Sequence, residues 1–490
     1  MSTQGVYERV FSGLRSHGTA RLFTQALSWA GTVYVARTLD SRAFGAFGIA
    51  LVLFNHAALV YDGTLTEALV QRAPATDLQR RSVWTLLVCA GLALATVLLL
   101  LAKPVAHLVE DPEVGAVMPA MSLVLVITSL GVLPNALLLN AMEFNKLAKI
   151  AAVQGIGTTA VTVGLAHAGS GVWALAGGAV TGAVLRTVLL NIVRPSVLLP
   201  TRQLRYAVEY FRVGGVLFAD TILWRFYTSV DTFLLGRWSG STSLGFYTLA
   251  QQVAEMPLEK ISTLVNDISL PAYAQLGGDR REARRLMLET MRTHATIGFP
   301  IFWGIAAVAH VVVPVLFGDK WDSAILPLMA LSVIAPVRLM GSVETPAMTG
   351  MGRVRVLLQS KLIVAPCMVI AFAVGCRLGG INGAALAWLT AFPLCYGFAF
   401  RLVLRAAGLS YAELLAAVRG PALAAAVMVG IVAACAALLS SWGIPPLLDL
   451  AIEILVGVMA YPCGLRLVDG EAYRMLRQRL SRLLGLGQVP

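Results

Sequence analysis

The chain has 490 residues, 58% of them hydrophobic and only 13% charged, and its mean hydropathy is +0.76. Soluble domains average roughly 25% charged residues, so a water-soluble globular protein is excluded. A net charge of +12 would suit nucleic acid, but its distribution along the chain reads as membrane orientation, and no nucleic-acid partner is expected.

Apolar runs of about twenty residues recur from end to end, each long enough to cross a hydrocarbon core of roughly 30 Å as a helix. A transmembrane β-barrel would instead alternate apolar and polar residues over strands of about ten. The expected fold class is therefore an all-α integral membrane protein. The first eighteen residues are polar and mildly basic, without an apolar signal core or a small-residue cleavage site, so the first span is expected to serve as its own signal. Fourteen spans are predicted near 20–38, 44–64, 83–102, 116–140, 150–168, 172–192, 213–236, 244–270, 293–317, 324–345, 356–376, 382–404, 420–441 and 447–466. The second, fourth, eighth and tenth carry Asp, Glu or Pro and should face protein or water rather than lipid.

Placing the N-terminus in the cytoplasm puts 28 of the 38 Lys and Arg residues in even-numbered loops and tails, Lys361 among them, and 6 on the other side. The remaining 4, Arg186, Arg225, Lys260 and Arg338, lie inside spans. By the positive-inside rule both termini are then cytoplasmic. The outer loops are short and form no extramembrane domain. Basic stretches from Thr201, from Asp279 and from Glu471 have the character of interfacial helices. The six cysteines, Cys89, Cys367, Cys376, Cys395, Cys435 and Cys463, are scattered through apolar runs with no CxxC and read as packing residues.

One sequence is written twice. TVYVARTLDSRAFGAFGIA from Thr32 and TFLLGRWSGSTSLGFYTLA from Thr232 share Thr, Arg, Ser, Gly and Ala at a constant offset of two hundred residues: Thr32/Thr232, Arg37/Arg237, Ser41/Ser241, Gly45/Gly245 and Ala50/Ala250. Glu67 and Asp267 continue the register. GVWALAGGAV from Gly171 and GINGAALAWL from Gly380 form a fainter pair. A unit of this size used twice in one orientation is how many transporters build a cavity between two lobes.

No nucleotide-hydrolysing GxxxxGK[ST], HExxH or GxSxG is present, and the six histidines have no metal-cluster spacing. No enzyme activity and no cofactor are expected, and the energy source would be a proton or sodium gradient or the substrate gradient. What remains is charge inside the membrane, costing roughly 2.5–3.5 kcal/mol per group at mid-bilayer. Span seven carries Asp220, Arg225 and Asp231, the two acids on one face. Span eight carries Glu255, Glu259 and Lys260 around Pro257. These, with Arg186 and Arg338, are the candidate cavity residues, and an internal ion pair is the competing reading for Arg225. Glu344 and His56 are secondary candidates. Asp62, Glu67 and Asp267, beside basic inner loops, are candidate gate residues. Gly177, Gly178 and Gly182 predict tight helix contacts.

The succession GRWSGSTSLGFYTLA from Gly236, AEMPLEKISTLVNDISLPAYAQL from Ala254, GFPIF from Gly298 and VLFGDKW from Val315 resembles the polysaccharide-transporter branch of the multidrug/oligosaccharidyl-lipid/polysaccharide exporter superfamily, the Wzx-type flippases. AMEFNKLAKI from Ala141 and GVWAL from Gly171 fit the same branch. The resemblance implies a MATE-like fold: a six-helix lobe at 1–195, a second at 196–410, and a further helix pair with a basic tail at 411–490. It also implies that a lipid-linked (undecaprenyl-pyrophosphate) oligosaccharide is moved from the inner to the outer leaflet of a bacterial inner membrane, for capsule, O-antigen or exopolysaccharide. Membrane lipid and the polymerase or export machinery are the implied partners. Arg225 and Asp231 match a spacing seen in the family. The alternatives are a cation-coupled multidrug antiporter, a peptidoglycan-precursor flippase, and a polymerase or ligase, the last disfavoured by the short outer loops.

Overall fold

The computed structural model describes residues 24–62, 69, 76–207, 215–275 and 280–483, with the side chains of 60–62, 215–218, 263–268, 270, 271, 274, 275, 280 and 479–483 outside the description. All regular structure among these residues is helical. In chain order the helices are α1 (24–38), α2 (Ser41–Asp62), α3 (Asp77–Val109), α4 (Pro112–Asn140), α5 (Phe144–His167), α6 (Val172–Val193), α7 (Gly215–Gln275), α8 (Arg280–Phe317), α9 (Ile325–Gly341), α10 (Glu344–Gly350), α11 (Arg355–Ala407), α12 (Tyr411–Leu439), α13 (Pro446–Val468) and α14 (Gly470–Leu483). Ten stretches of the described chain are long and apolar enough to cross a membrane.

Local sequence sets the ends. Thr76 and Gln79 form a reciprocal capping box at the start of α3, and Ser410 and Glu413 do the same for α12. Asp111 caps α4 by accepting from the Glu113 N–H, with Pro112 in the first turn where its missing N–H costs nothing.

Two helices are far longer than a bilayer is thick, and each is broken by a glycine. α7 breaks at Gly240 (φ 77°, ψ 164°) and α11 at Gly380 (φ 53°, ψ −132°), so each supplies two of the predicted spans. Only glycine adopts such angles without strain. Gly171, which precedes α6, has nearly the same conformation as Gly380 (φ 56°, ψ −133°). The faint sequence pair GVWAL/GINGA is thus a repeated backbone turn.

Three of the four spans predicted to face protein or water, the second, fourth and tenth, are the most enclosed of the candidate spans. In their most apolar windows α2 is 50% buried, α4 56%, and the stretch from Asp319 through α10 56%, against 11% for α5. FGDKW forms a short 3-10 turn (Asp319–Ala324) between α8 and α9, held by fully buried Trp321 edge-on against Phe246 at 5.6 Å.

By packing the chain divides into two compact units, residues 1–245 and 246–490. In the first, α6 lies against α4 and α5, and Gly177, Gly178 and Gly182 admit α5 so closely that a Cβ at Gly178 would stand 1.9 Å from the Thr162 hydroxyl. In the second, α8, α12 and α13 share a core that includes Phe299, Val308, Met428, Val432 and Tyr461.

One of the three expected interfacial helices is not a separate element. The expected helix from Asp279 is, from Arg280 on, the start of α8 itself. From Thr201 the chain first docks on α3, where Ser82 donates to the Gln203 carbonyl and the Thr201 N–H to Thr85; residues 205–207 are helical, and the rest of the expected helix lies outside the described residues. The third, α14, is a helix whose Ala472 is fully buried against the α8–α12–α13 core. Of the cysteines, only Cys376 is fully enclosed, and Cys89, Cys367 and Cys463 are exposed, so packing does not describe all six.

The two copies of the repeated turn meet each other. A Cβ on Gly45 would lie 1.9 Å from the Ser241 carbonyl oxygen, and one on Gly245 1.7 Å from that of Ser41. Each copy's serine backbone rests on the other's glycine, a reciprocal contact that no side chain can enter. Gly45→Ala or Gly245→Ala should therefore lower thermal stability by about 1–3 kcal/mol through overpacking. Gly397→Ala, where a Cβ meets nothing within 4 Å, should not lower it when the three purified proteins are melted side by side.

Candidate functional site

In the first unit, span seven is the part of α7 before Gly240. Asp220 (5% exposed) and Asp231 (0%) are buried, and Asp231 accepts from the Thr232 N–H at 2.7 Å. Arg225, between them in sequence, is half-buried, lies beside the Trp224 ring at 5.5 Å, and forms no ion pair among the described residues. Its Nε is shielded and has no hydrogen-bond partner. A guanidinium in an apolar helix with donors to spare is suited to a forked anionic group. Arg186 on α6 donates to the amide oxygens of Asn135 of α4 (3.2 Å) and Gln154 of α5 (3.4 Å).

At the end of this unit that the Lys/Arg count assigns to the outer side, a pocket of about 390 Å³ is lined by Arg42, Glu110, Asp111, Arg237, Trp238 and Ser241, among others. Arg42 grips Asp111 with two bonds (2.9 and 3.2 Å), and Arg237 pairs with Glu110 at 2.9 Å. Burial raises the Asp111 carboxyl, but the Arg42 guanidinium and the Glu113 N–H outweigh it and hold it below its ordinary value of 3.8. Arg237 is the repeated arginine of the turn, and Ser241 its repeated serine.

In the second unit the charges are paired through a column of rings. Arg338 on α9 donates to Glu255 on α7 at 2.7 Å and lies over the Trp388 ring at 4.4 Å. Trp388, Phe392, Tyr396 and Phe400 follow one another at four-residue spacing along α11, with centroids 5.0–5.3 Å apart. The Tyr396 hydroxyl donates to Glu344, which is fully buried and also accepts from Lys361 at 3.3 Å. Two charged pairs thus flank one aromatic ladder, on helices α7, α9, α10 and α11.

Glu259 and Lys260, farther along α7 from Glu255, are exposed. His56 is half-buried on α2 and its Nδ1 donates to the Val52 carbonyl. Asp62, Glu67 and Asp267 lie outside the described side chains. Lys361, read from sequence as an inner-loop cation, is 8% exposed within α11 and paired, because Glu344 holds its ammonium inside the bundle. The aromatic ladder was not singled out from sequence, although WLTAFPLCYGFAF from Trp388 shows its four-residue period. Glu453 and Asp449 on α13 were not singled out either.

Two measurements follow from this geometry. Glu344→Ala leaves the Lys361 ammonium buried without its partner and should cost about 3–5 kcal/mol, whereas Tyr396→Phe removes one hydrogen bond and should cost about 1–3 kcal/mol. Thermal melts of both variants check that order. A carboxyl held below its unfolded value adds stability above that value and loses it as pH falls through the folded one. Stability of the purified chain should therefore drop below about pH 4, and less steeply in Asp111→Asn, when melts are compared across acidic buffers.

The description "polysaccharide biosynthesis protein" matches residues 34–326 as a family. The chain is 25% identical over 388 residues to the lipopolysaccharide biosynthesis protein WzxC of Escherichia coli (strain K12), covering 78% of each. It is 28% identical over 382 residues to the succinoglycan biosynthesis transport protein ExoT of Rhizobium meliloti (strain 1021), covering 75% of this chain and 74% of that protein. Its fold is similar to that of the lipid II flippase MurJ in an inward closed conformation, with a TM-score of 0.75 at 13% identity over 94% of this chain and 99% of that one. It is also similar to an inward-facing multidrug resistance MATE family transporter of the MOP superfamily, with a TM-score of 0.59 at 13% identity over 79% and 96%. A multi-pass all-helical chain with this match over more than half its length belongs to the polysaccharide biosynthesis protein family, the polysaccharide-transporter branch of the MOP superfamily.

Proposed function

We propose that the chain moves a lipid-linked oligosaccharide, carried on undecaprenyl pyrophosphate, from the inner to the outer leaflet of a bacterial inner membrane. The carrying observation is Arg225: an arginine in a membrane helix, without an ion pair among the described residues, in a chain whose relatives are a lipopolysaccharide biosynthesis protein and a succinoglycan transport protein. Both termini face the cytoplasm in this reading, as the Lys/Arg count requires.

The physics of the cargo fits the chain. A pyrophosphate and its sugars cannot enter hydrocarbon, while a polyprenyl tail can stay there. A wet route lined by arginine and amide groups would let the head cross while the tail remains among the lipids. Arg225 would meet the pyrophosphate through its forked donors, with Arg186, Asp220, Asp231, Glu255, Glu259, Lys260 and Arg338 as the further wall. Lobes at 1–195 and 196–410 would rock to give alternating access, with 411–490 as an appended pair and tail. Asp62, Glu67 and Asp267 would close the inner end. A proton or sodium gradient would supply the energy, and a polymerase would take the delivered unit.

The test is polymer export in a strain depending on this chain. Arg225→Ala should cut export at least about tenfold, since a charge-assisted hydrogen bond worth about 1.5–3 kcal/mol is lost. Membrane level should stay unchanged, and Arg225→Lys should keep part of the activity. Normal export by Arg225→Ala would remove that residue from the mechanism. Cation-dependent efflux of a cationic dye, with export unaffected by deleting the gene, would favour an antiporter instead.

A further inference from the structure

Glu453 lies one-third of the way along α13 and is completely buried, yet neither carboxyl oxygen has a hydrogen-bond partner. The cationic or donor groups that satisfy Glu255 and Glu344 are missing here. One polar group approaches: Nε2 of His310, on α8, is 3.8 Å from Glu453 Oε1. The two helices run in opposite directions through a shared core, and each residue is seven positions from its helix end, about 10 Å in. The imidazole is 53% exposed at the seam, while the carboxyl is enclosed.

The tautomer follows from the other ring nitrogen. His310 Nδ1 is 3.1 Å from the Ala307 carbonyl oxygen. A carbonyl only accepts, so Nδ1 carries a hydrogen. A neutral ring then presents its Nε2 lone pair to Glu453 Oε1. A lone pair facing an ionised carboxylate is repulsive, and no donor among the described residues relieves it. One proton shared between the two groups removes the conflict, held either on oxygen as a neutral acid facing Nε2 or on nitrogen as an imidazolium.

Besides the imidazole, one ionisable group acts on Glu453 among the described residues, and it is another carboxylate. Asp449, one turn earlier on α13, is the nearest other carboxylate in the sequence, and its Oδ1 also lacks a partner. From Gly304 to Phe317, α8 has no ionisable residue besides His310. The facing stretch of α12, around Val432, carries only Cys435. α14, at the far end of α13, packs two turns or more away.

We propose that Glu453 and His310 form a site that binds a single proton, taken up from the outer side through the exposed imidazole and stored on the enclosed carboxyl. In the transfer the Nε2–H bond of the imidazolium breaks and an O–H bond forms at Oε1. The imidazolium becomes neutral imidazole and the carboxylate becomes neutral acid, so charge and protons balance without another reactant. The site ties the appended helix α13 to α8, and it stands whether or not the cargo is a lipid-linked sugar.

Infrared difference spectroscopy tests it on the full chain in proteoliposomes stepped between mildly acidic and alkaline buffer. The expected result is a protonated-carboxyl C=O band that is lost at alkaline pH and is absent in Glu453→Gln. In His310→Gln, a change at an exposed position, the midpoint of that band should shift by about one pH unit or more, because the proton has lost its second holder. A band unchanged by Glu453→Gln would place the proton elsewhere. A midpoint unmoved in His310→Gln would show that the two groups do not share it. Either result overturns the proposal, and the histidine variant decides even if the glutamine variant fails to fold.

Discussion

An ionised group in hydrocarbon must find an opposite charge, a set of hydrogen bonds or water, and that demand organises the charged residues of this protein. Glu344 meets it with Lys361 and Tyr396, and Glu255 with Arg338, whose guanidinium also rests on Trp388. Arg186 is met by two amides. Arg225 and Glu453 are the conspicuous departures. One is a cation with donors to spare, the other an enclosed acid facing a lone pair. Departures from a rule obeyed elsewhere are where a transporter's moving parts are to be sought, since a charge that is satisfied at all times has no reason to change partners.

Backbone geometry supplies the second constraint. The repeated Ser and Gly of the two turn copies rest on one another, serine carbonyl against glycine, at distances that exclude any side chain. The break at Gly380 and the turn at Gly171 share one conformation. Duplication is thus kept where the chain most needs glycine, and the sequence between has drifted freely. Bulky lipid-facing positions tolerate exchange, whereas a left-handed turn or a backbone crossing does not.

This explains what was legible beforehand. Span number and approximate bounds came from hydropathy, which the bilayer enforces at every turn of helix. The glycine contacts of α6 came from spacing, and the enclosure of α2, α4 and α9 from their polar residues. Partnerships between distant helices left no local trace. Nothing near Lys361 in sequence announces Glu344 as its partner, so it was assigned to an inner loop from its place near a span end. Arg42 likewise looked like a loop cation until the α3–α4 turn brought Asp111 to it. The aromatic ladder on α11 did have a four-residue signature, but in an apolar helix that pattern is hard to distinguish from ordinary packing. The stretch from Asp279 was read as interfacial because its charges are surface-like. In the structure Arg284 and Arg292 pair with Glu413, Asp469 and Glu471 farther along the chain, and Arg285 pairs with Glu289 of its own helix.

The most direct measurement of the central claim is reconstitution of the purified chain into liposomes containing a fluorescent undecaprenyl-pyrophosphate oligosaccharide in both leaflets, with a membrane-impermeant quencher added outside. A flippase makes the whole pool accessible, and protein-free vesicles leave about half of it protected. Protection that stays at the protein-free level, with the chain correctly inserted, would contradict the account.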